Sequence, residues 1–574
     1  VIAVLAYAPT SPVSSSMLMN CGCRDSAQEV WFLAWTSFAV THLHNPLYSN
    51  WMEYPAGANM MANTAYPLLG LLATPVTLIA GPVASLNFLL RLGFAATATS
   101  GFAVLRRFAP WGPAAFLGGL LYGFSPYMVG EGLGHAFLLF APLPPLIFLA
   151  IERLVRGEAP ARWLGLAIGG LAGMQLYISS EILFTTVIMV IAGLAVWALA
   201  ARHEVREKLH RLAAGTAWAA GTFAVLAAYG LYVFFDGPQH TTGPPRPVSI
   251  LSTYHADLLS AFIPTSSEWL APFSSVGNRL SGGNITETGA YLGIPFLVLL
   301  GVLAVRHFRE PMVRFGLALA GIAYLLSLGP WLEIDGVDTH IPLPFALFVH
   351  LPLFDGLISG RFAMYTAFFC ALVLAVGLDR SYAALAAREA TGQARVRGSA
   401  LAALAAACLV PLIPNFPYHE VPAGVPTYFT SSASKAIPEG SVVLLYPYPW
   451  TPNNEGQLWQ AVNGLHFRIF GGEGIVPGHG DHSDPTPARL TPQQVQALFL
   501  SAIYGRAHTA AGVLPPENER TAAAIRAFCR KYGVSAVLVS GIGAEPRQVL
   551  RYLEQAFGRP PTSDGGVYAW YGVG

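Results

Sequence analysis

Long apolar stretches, broken by short polar segments, run from about residue 66 to residue 412 and tend to come in pairs. A helix needs about 20 apolar residues to cross the hydrocarbon core of a membrane, so the pattern predicts spanning helices. From Trp163 to Ala201 the single ionisable residue is Glu181. That stretch is too long for one crossing and reads as two helices with Glu181 at their outer tip. Phe108–Ile151 reads the same way, with Glu131 and His135 at the tip. Further spans are predicted at Pro82–Leu105, Leu212–Phe235, Gly289–Val305, Phe315–Leu328, Phe362–Leu378 and Gly398–Leu412. The opening VIAVLAYA is too short to cross and reads as the end of a first helix that begins outside this sequence. The sum is an all-α polytopic membrane bundle of about eleven helices. Tyr66–Ala80 and Pro342–Pro352 are read as re-entrant or interfacial segments.

Charge sets the orientation. Of the 21 Lys and Arg residues before Glu420, 16 fall in five clusters, around Arg106, Arg156, Arg206, Arg309 and Arg388. Basic connections stay on the cytoplasmic side. The opposite connections carry acidic residues, among them Asp25, Glu29, Glu53, Glu131, Glu181, Asp257 and Glu287. The membrane domain therefore covers residues 1–418, with a first outer loop at 9–66 and a second large one at 236–288.

After about Tyr418 the pattern changes. Charges intersperse, and β-like runs appear at Ser441–Pro449, Ser535–Gly541 and Val567–Val573, with helical periodicity at Pro492–Tyr504 and Asn518–Tyr532. Residues 419–574 are expected to form an extracytoplasmic soluble α/β domain. Overall composition agrees with a multi-pass cell-membrane protein: 54% hydrophobic, 11% charged, net charge +1 and mean hydropathy +0.49. With no basic face, a nucleic-acid partner is not expected.

Candidate chemistry gathers in the first outer loop. The run from Asp25 to Leu43 is amphipathic, with Trp31, Trp35 and Phe38 on one helical face, which suits a helix lying at the membrane interface. Asp25 at its amino end fits a helix cap as well as a catalytic carboxylate. Glu53 lies in WMEYPAG, between aromatics. Cys21 and Cys23 could form a strained disulfide but lack zinc-site spacing, and GHGDHSDP, with His479, Asp481, His482 and Asp484, has the look of a metal cluster but reads better as a polar turn-rich loop. Nucleotide-binding, serine-hydrolase and zinc-protease motifs are missing from the sequence.

An acidic residue just after the first helix, amphipathic and re-entrant segments, then Arg106-Arg107 after the next span, together resemble the GT-C superfamily of integral-membrane glycosyltransferases. YGFSPY (Tyr122–Tyr127), Gly134-His135, DLLSAFIP (Asp257–Pro264), ETGAYLGIP (Glu287–Pro295), SGRF (Ser359–Phe362) and the outer α/β domain are similar to bacterial members. The resemblance implies transfer of a sugar from a polyprenyl-phosphate donor to a glycan, lipid or protein acceptor in the cell envelope. It implies Asp25 as general base, with inversion, and Glu53 as a second catalytic carboxylate. His135, Arg361, Asp257 and Glu287 are the substrate-binding candidates, with Arg361 suited to a bidentate phosphate contact. Many relatives carry a second acidic residue in the active-site group and some bind a divalent cation; the adjacent acidic pair is missing here after the first helix, so the cofactor is left open, with a divalent cation as one option and no firm ligand set. A lipid or glycan transporter, or a non-catalytic assembly protein with an outer binding domain, is the competing reading. A transporter is expected to carry ionisable groups at the bilayer midplane, whereas these spans are nearly free of charge.

Overall fold

The computed structural model describes residues 1–19, 25–243, 253–280, 284–287, 289–349, 351, 356–388, 391–450, 453–477, 492–504, 514–541 and 546–574. Cys21, Cys23 and the His479–Asp484 cluster lie outside them. The chain is a helical membrane protein with a mixed α/β region at its carboxyl end. Five helices are long and apolar enough to cross a membrane: Pro82–Leu105, Ala136–Arg156, Ser180–Ala200, Arg206–Asp236 and Ser359–Ala386. Pro67–Ala80, Ile294–Arg306 and Pro311–Ser327 are apolar but shorter. At 1.5 Å per residue, Pro67–Ala80 is roughly 21 Å long, short of the roughly 30 Å hydrocarbon core.

The expected count of eleven crossings is therefore not reached by long helices among the described residues. Local breakers explain part of the difference. Ser125-Pro126 ends one helix and caps the next, and the turn after Glu131 interrupts the chain again, dividing 112–156 into Gly112–Gly123, Pro126–Glu131 and the Ala136–Arg156 segment, whose helix is itself broken briefly between Leu139 and Leu143. In the other direction, Arg202–Asp236 is one 35-residue helix, about 52 Å long. The basic cluster at 202–211, expected as a connection, lies on its first turns.

Two compact units result. The first comprises Val1–Pro9, Leu89–Tyr229 and Gly243–Tyr418; the second comprises Thr10–Phe88, Gly230–Thr242 and His419–Gly574. In the first unit the Ser359–Ala386 span is buried throughout its most apolar window, with the Pro311–Ser327 and Gly112–Gly123 helices against it. Val225, Ile191 and Val302 point large apolar side chains outward. That is the surface a bilayer solvates.

In the second unit the strand order is Thr562–Asp564, Val567–Tyr571, Val534–Ser540, Val442–Tyr446, Arg468–Ile469. The first three strands pair antiparallel with one another, and Val442–Tyr446 is parallel to both of its neighbours, Val534–Ser540 and Arg468–Ile469. Leu444, Val537, Phe499, Ile525, Leu553 and Trp570 form its core. The three strands and two helices expected from sequence are all in this region, joined by the Glu455–Val462 and Arg547–Phe557 helices.

The Asp25–Thr41 helix belongs to the same unit. Its aromatic stripe turns inward, a correction to the expected interfacial face: Trp31 is fully buried, and its ring stacks 5.9 Å from that of Trp35. A buried indole needs an acceptor for its N–H. Trp31 Nε1 donates to Gln460 Oε1 at 2.6 Å, and Gln460 Nε2 donates to the carbonyls of Trp51 and Phe467 at 2.8 and 2.7 Å.

Candidate functional site

In the first unit, a cluster of ionisable residues forms where several helices begin or end. Ser125 caps the Pro126–Glu131 helix by accepting the Met128 N–H. Tyr127 and Glu131 then fall one turn apart on it, and the chain turns so that His135 Nδ1 meets Glu131 Oε2 at 2.8 Å. Ser179 caps the Ser180–Ala200 helix through the Ile182 N–H, which fixes Glu181 in its first turn. The short turn Ser359–Phe362 leads into Ala363–Ala386 and carries Arg361. Its guanidinium pairs with Glu181 through Nη1, and with Glu287 through Nη2 at 3.3 Å. The second oxygen of Glu181 accepts the Ile358 N–H at 3.2 Å. Glu287 arrives on the Ile285–Glu287 turn, which lies against the Pro126–Glu131 helix. Close by, a Cβ at Gly289 would lie 2.7 Å from Tyr127, so that approach requires glycine.

The cluster is buried. Glu131 is fully enclosed, and the side chains of Arg361 and Glu287 are 11% and 6% exposed. Electrostatic coupling ties the Tyr127 hydroxyl to Glu131, Arg361 and Glu287. Beneath it, the Tyr365 hydroxyl lies 2.9 and 2.8 Å from those of Thr185 and Thr186. Among the described residues, the Tyr127 hydroxyl, Arg361 Nε and one oxygen of Glu131 are buried without a hydrogen-bond partner. An orphaned buried polar atom costs about 1–3 kcal/mol. Three in one cluster mark a place where a polar ligand would recover that cost.

Of the residues expected from sequence, His135, Arg361 and Glu287 therefore come together. Asp257 is spent on structure: Oδ1 accepts the Leu259 N–H at 2.7 Å and Oδ2 the Gly336 N–H at 2.9 Å. Asp25 and Glu53 belong to the second unit. Asp25 is the half-buried first residue of the Asp25–Thr41 helix. One turn on, Gln28 donates to the carbonyl of Glu473, and Glu29 is buried and hydrogen-bonded to Tyr66. Glu53 has φ +51° and donates its N–H to the Gly471 carbonyl at 2.8 Å.

Tyr127, Glu131 and Glu181 were not among the expected site residues. Available signals were the four-residue spacing of Glu131 and His135 and the Ser179 cap ahead of Glu181. Arg91 was also passed over. It is 4% exposed, donates Nη2 to the Tyr7 carbonyl at 3.3 Å and lies 4.7 Å over the Tyr7 ring.

A titration is built into the segment around Glu268. Glu268 Oε2 accepts the Thr265 N–H and hydroxyl at 2.7 and 2.9 Å, and the flanking residues bond to 413–415 through Trp269 N–H to Ile413 and Asn415 N–H to Ser267. Burial pushes its carboxyl up to about 7, against the lowering effect of the Thr265 hydrogen bonds. The folded protein thus holds this proton more tightly than the unfolded chain, whose value is 4.5. The associated stability is fully present below about pH 4.5 and is lost as pH rises through about 7. Thermal unfolding in detergent is expected to weaken across that window, and Glu268→Gln to flatten the profile. An unchanged slope in the variant would remove Glu268 from the effect.

The chain is similar in structure to the arabinofuranosyltransferase AftD from Mycobacteria, at 15% identity and TM-score 0.48, over 95% of this chain and 39% of that one. The chain thus spans about two-fifths of that protein. ArnT from Cupriavidus metallidurans, solved bound to undecaprenyl phosphate, is similar at 10% identity and TM-score 0.46, over 99% of this chain and 96% of that one. The Archaeoglobus fulgidus oligosaccharyltransferase, solved with zinc and sulfate, is similar at 13% identity and TM-score 0.43, over 94% of this chain and 67% of that one. No curated protein matches the sequence. Residues 1–410 match the family model DUF6311, a domain of unknown function, and the chain belongs to that family.

Proposed function

We propose that the protein is an integral-membrane glycosyltransferase that moves a sugar from a polyprenyl-phosphate donor to an acceptor on the outer face of a cell membrane. The observation that carries this reading is the buried Arg361 cluster, with its mixture of donors and acceptors. A glycosyl phosphate joins an anion to a hydroxyl-rich ring that gains positive charge as the glycosidic bond breaks. Arg361, the Tyr127 hydroxyl and His135 supply donors for phosphate. Glu131, Glu181 and Glu287 accept from sugar hydroxyls and stabilise the developing positive charge. Binding would exchange at least one of the two glutamate contacts of Arg361 for phosphate.

Asp25 is the proposed base, on the sequence resemblance. An acceptor hydroxyl loses its proton as it attacks the anomeric carbon, and a carboxylate within hydrogen-bond reach takes it. One direct displacement inverts configuration. Glu53 is held in reserve as a second carboxylate. The apolar polyprenyl tail of the donor would lie among the lipid-facing helices, and residues 419–574 would face the acceptor side.

The test pairs two measurements. Protein reconstituted in liposomes is offered polyprenyl-phosphate hexoses and pentoses with an envelope extract, and one donor is expected to be consumed. Mass spectrometry of envelope glycans from cells lacking the protein is expected to find one glycan short of that sugar. Unchanged glycans together with no donor consumed would overturn the reading.

A further inference from the structure

The outer segments of the first unit line a cleft of about 450 Å3. One wall carries His255 and Arg279. The other is a hairpin of strands Trp331–Ile334 and Val337–Pro342, which brings Trp331, Glu333, Asp335 and Asp338 into the same lining. Asp335-Gly336 makes the hairpin turn, with φ +55° and +74°, as two-residue hairpin loops favour.

The walls are tied together. Asp257 accepts the Gly336 N–H, the Ala256 N–H reaches the Ser327 carbonyl at 2.9 Å, and the Tyr324 hydroxyl donates to the Leu258 carbonyl at 2.9 Å. Gly329, at φ +81°, lets the chain pass so close to His255 that a Cβ there would lie 2.9 Å from its side chain. His255 Nε2 and Glu333 Oε1 meet at 3.2 Å, while Arg279 and Asp335 form an exposed pair at 3.6 Å. Trp331, by contrast, is 46% exposed, a flat apolar ring left in a polar cleft.

We infer that this cleft binds a neutral glycan, and that on the glycosyltransferase reading the glycan is the acceptor. A sugar ring has an apolar C–H face that stacks on an indole, and a rim of hydroxyls that both donate and accept. The carboxylates of Glu333, Asp335 and Asp338 accept, and the Arg279 guanidinium donates. An acidic glycan would face three carboxylates against one arginine. Like charge disfavours it.

Binding is tested without turnover. The full chain in nanodiscs is probed with an array of neutral, amino and acidic oligosaccharides, and the best binder is titrated by tryptophan fluorescence and calorimetry. A neutral glycan is expected to bind, with Kd raised about tenfold or more, the equivalent of about 1.4 kcal/mol, by Trp331→Ala and by Asp338→Asn. Both side chains are at least 40% exposed, and thermal unfolding checks that each variant folds. Binding of acidic glycans alone, no glycan bound, or affinity untouched by Trp331→Ala overturns the inference. Because no donor is present, glycan binding without transfer would leave the cleft standing and remove the transferase reading. Transfer without glycan binding would do the reverse.

Discussion

Asp25→Asn is expected to reduce sugar transfer by about 100- to 10,000-fold, the usual contribution of a positioned general base. The amide keeps the shape of the side chain but cannot take the acceptor's proton. As the half-buried first residue of the Asp25–Thr41 helix, the carboxylate also interacts with the helix dipole, a contribution of about 0.3–1 kcal/mol. Loss of that much leaves the helix in place, because Trp31, Trp35 and Gln460 hold it from the other side. Glu29 is a poor substitute: it is 1% exposed and engaged by Tyr66. Initial rates in proteoliposomes, read beside a thermal unfolding curve, decide the matter. A variant that transfers at the wild-type rate would take Asp25 out of the chemistry.

Arg361 is the second position of large effect, and here stability and activity must be separated. Arg361→Ala leaves Glu181 and Glu287 facing each other without their cation. Breaking a buried ion pair from one side costs about 3–5 kcal/mol. Adding Glu181→Gln removes one of the stranded charges, so the double variant is expected to regain a good part of the unfolding temperature. Transfer is expected to stay lost, with the donor KM raised, because neither change restores a phosphate partner. Arg361→Lys keeps the charge but not the planar fork and is expected to fall between. If the double variant recovers transfer along with stability, Arg361 serves the fold and not the donor.

These expectations draw on two kinds of information. Glu181 illustrates the division. Its place at the tip of two helices follows from the hydropathy of Trp163–Ala201, and the helices Ala161–Leu176 and Ser180–Ala200 begin and end where that reading puts them. Its partner does not follow. Arg361 is 180 residues away, and no local pattern pairs one helix-tip carboxylate with one of several distant cations. Asp257 makes the same point from the other side. Its capping of Leu258–Ala261 is readable from sequence, whereas its second bond, to Gly336, depends on a hairpin. That hairpin had its own signal, Asp335-Gly336 between short strand-like runs, but it sits among membrane helices where helical periodicity dominates the reading.

The sequence by itself determined the membrane character, most helix positions and the α/β nature of the carboxyl region. Each of these rests on hydrophobicity and turn chemistry within about 20 residues. Tertiary structure alone decided that the aromatic face of Asp25–Thr41 is buried against Glu455–Val462, that Arg361 lies between two glutamates, and that Trp331 shares a cleft with His255. Burial and charge pairing at such separations depend on which helix ends meet, and that is a property of the whole packed chain.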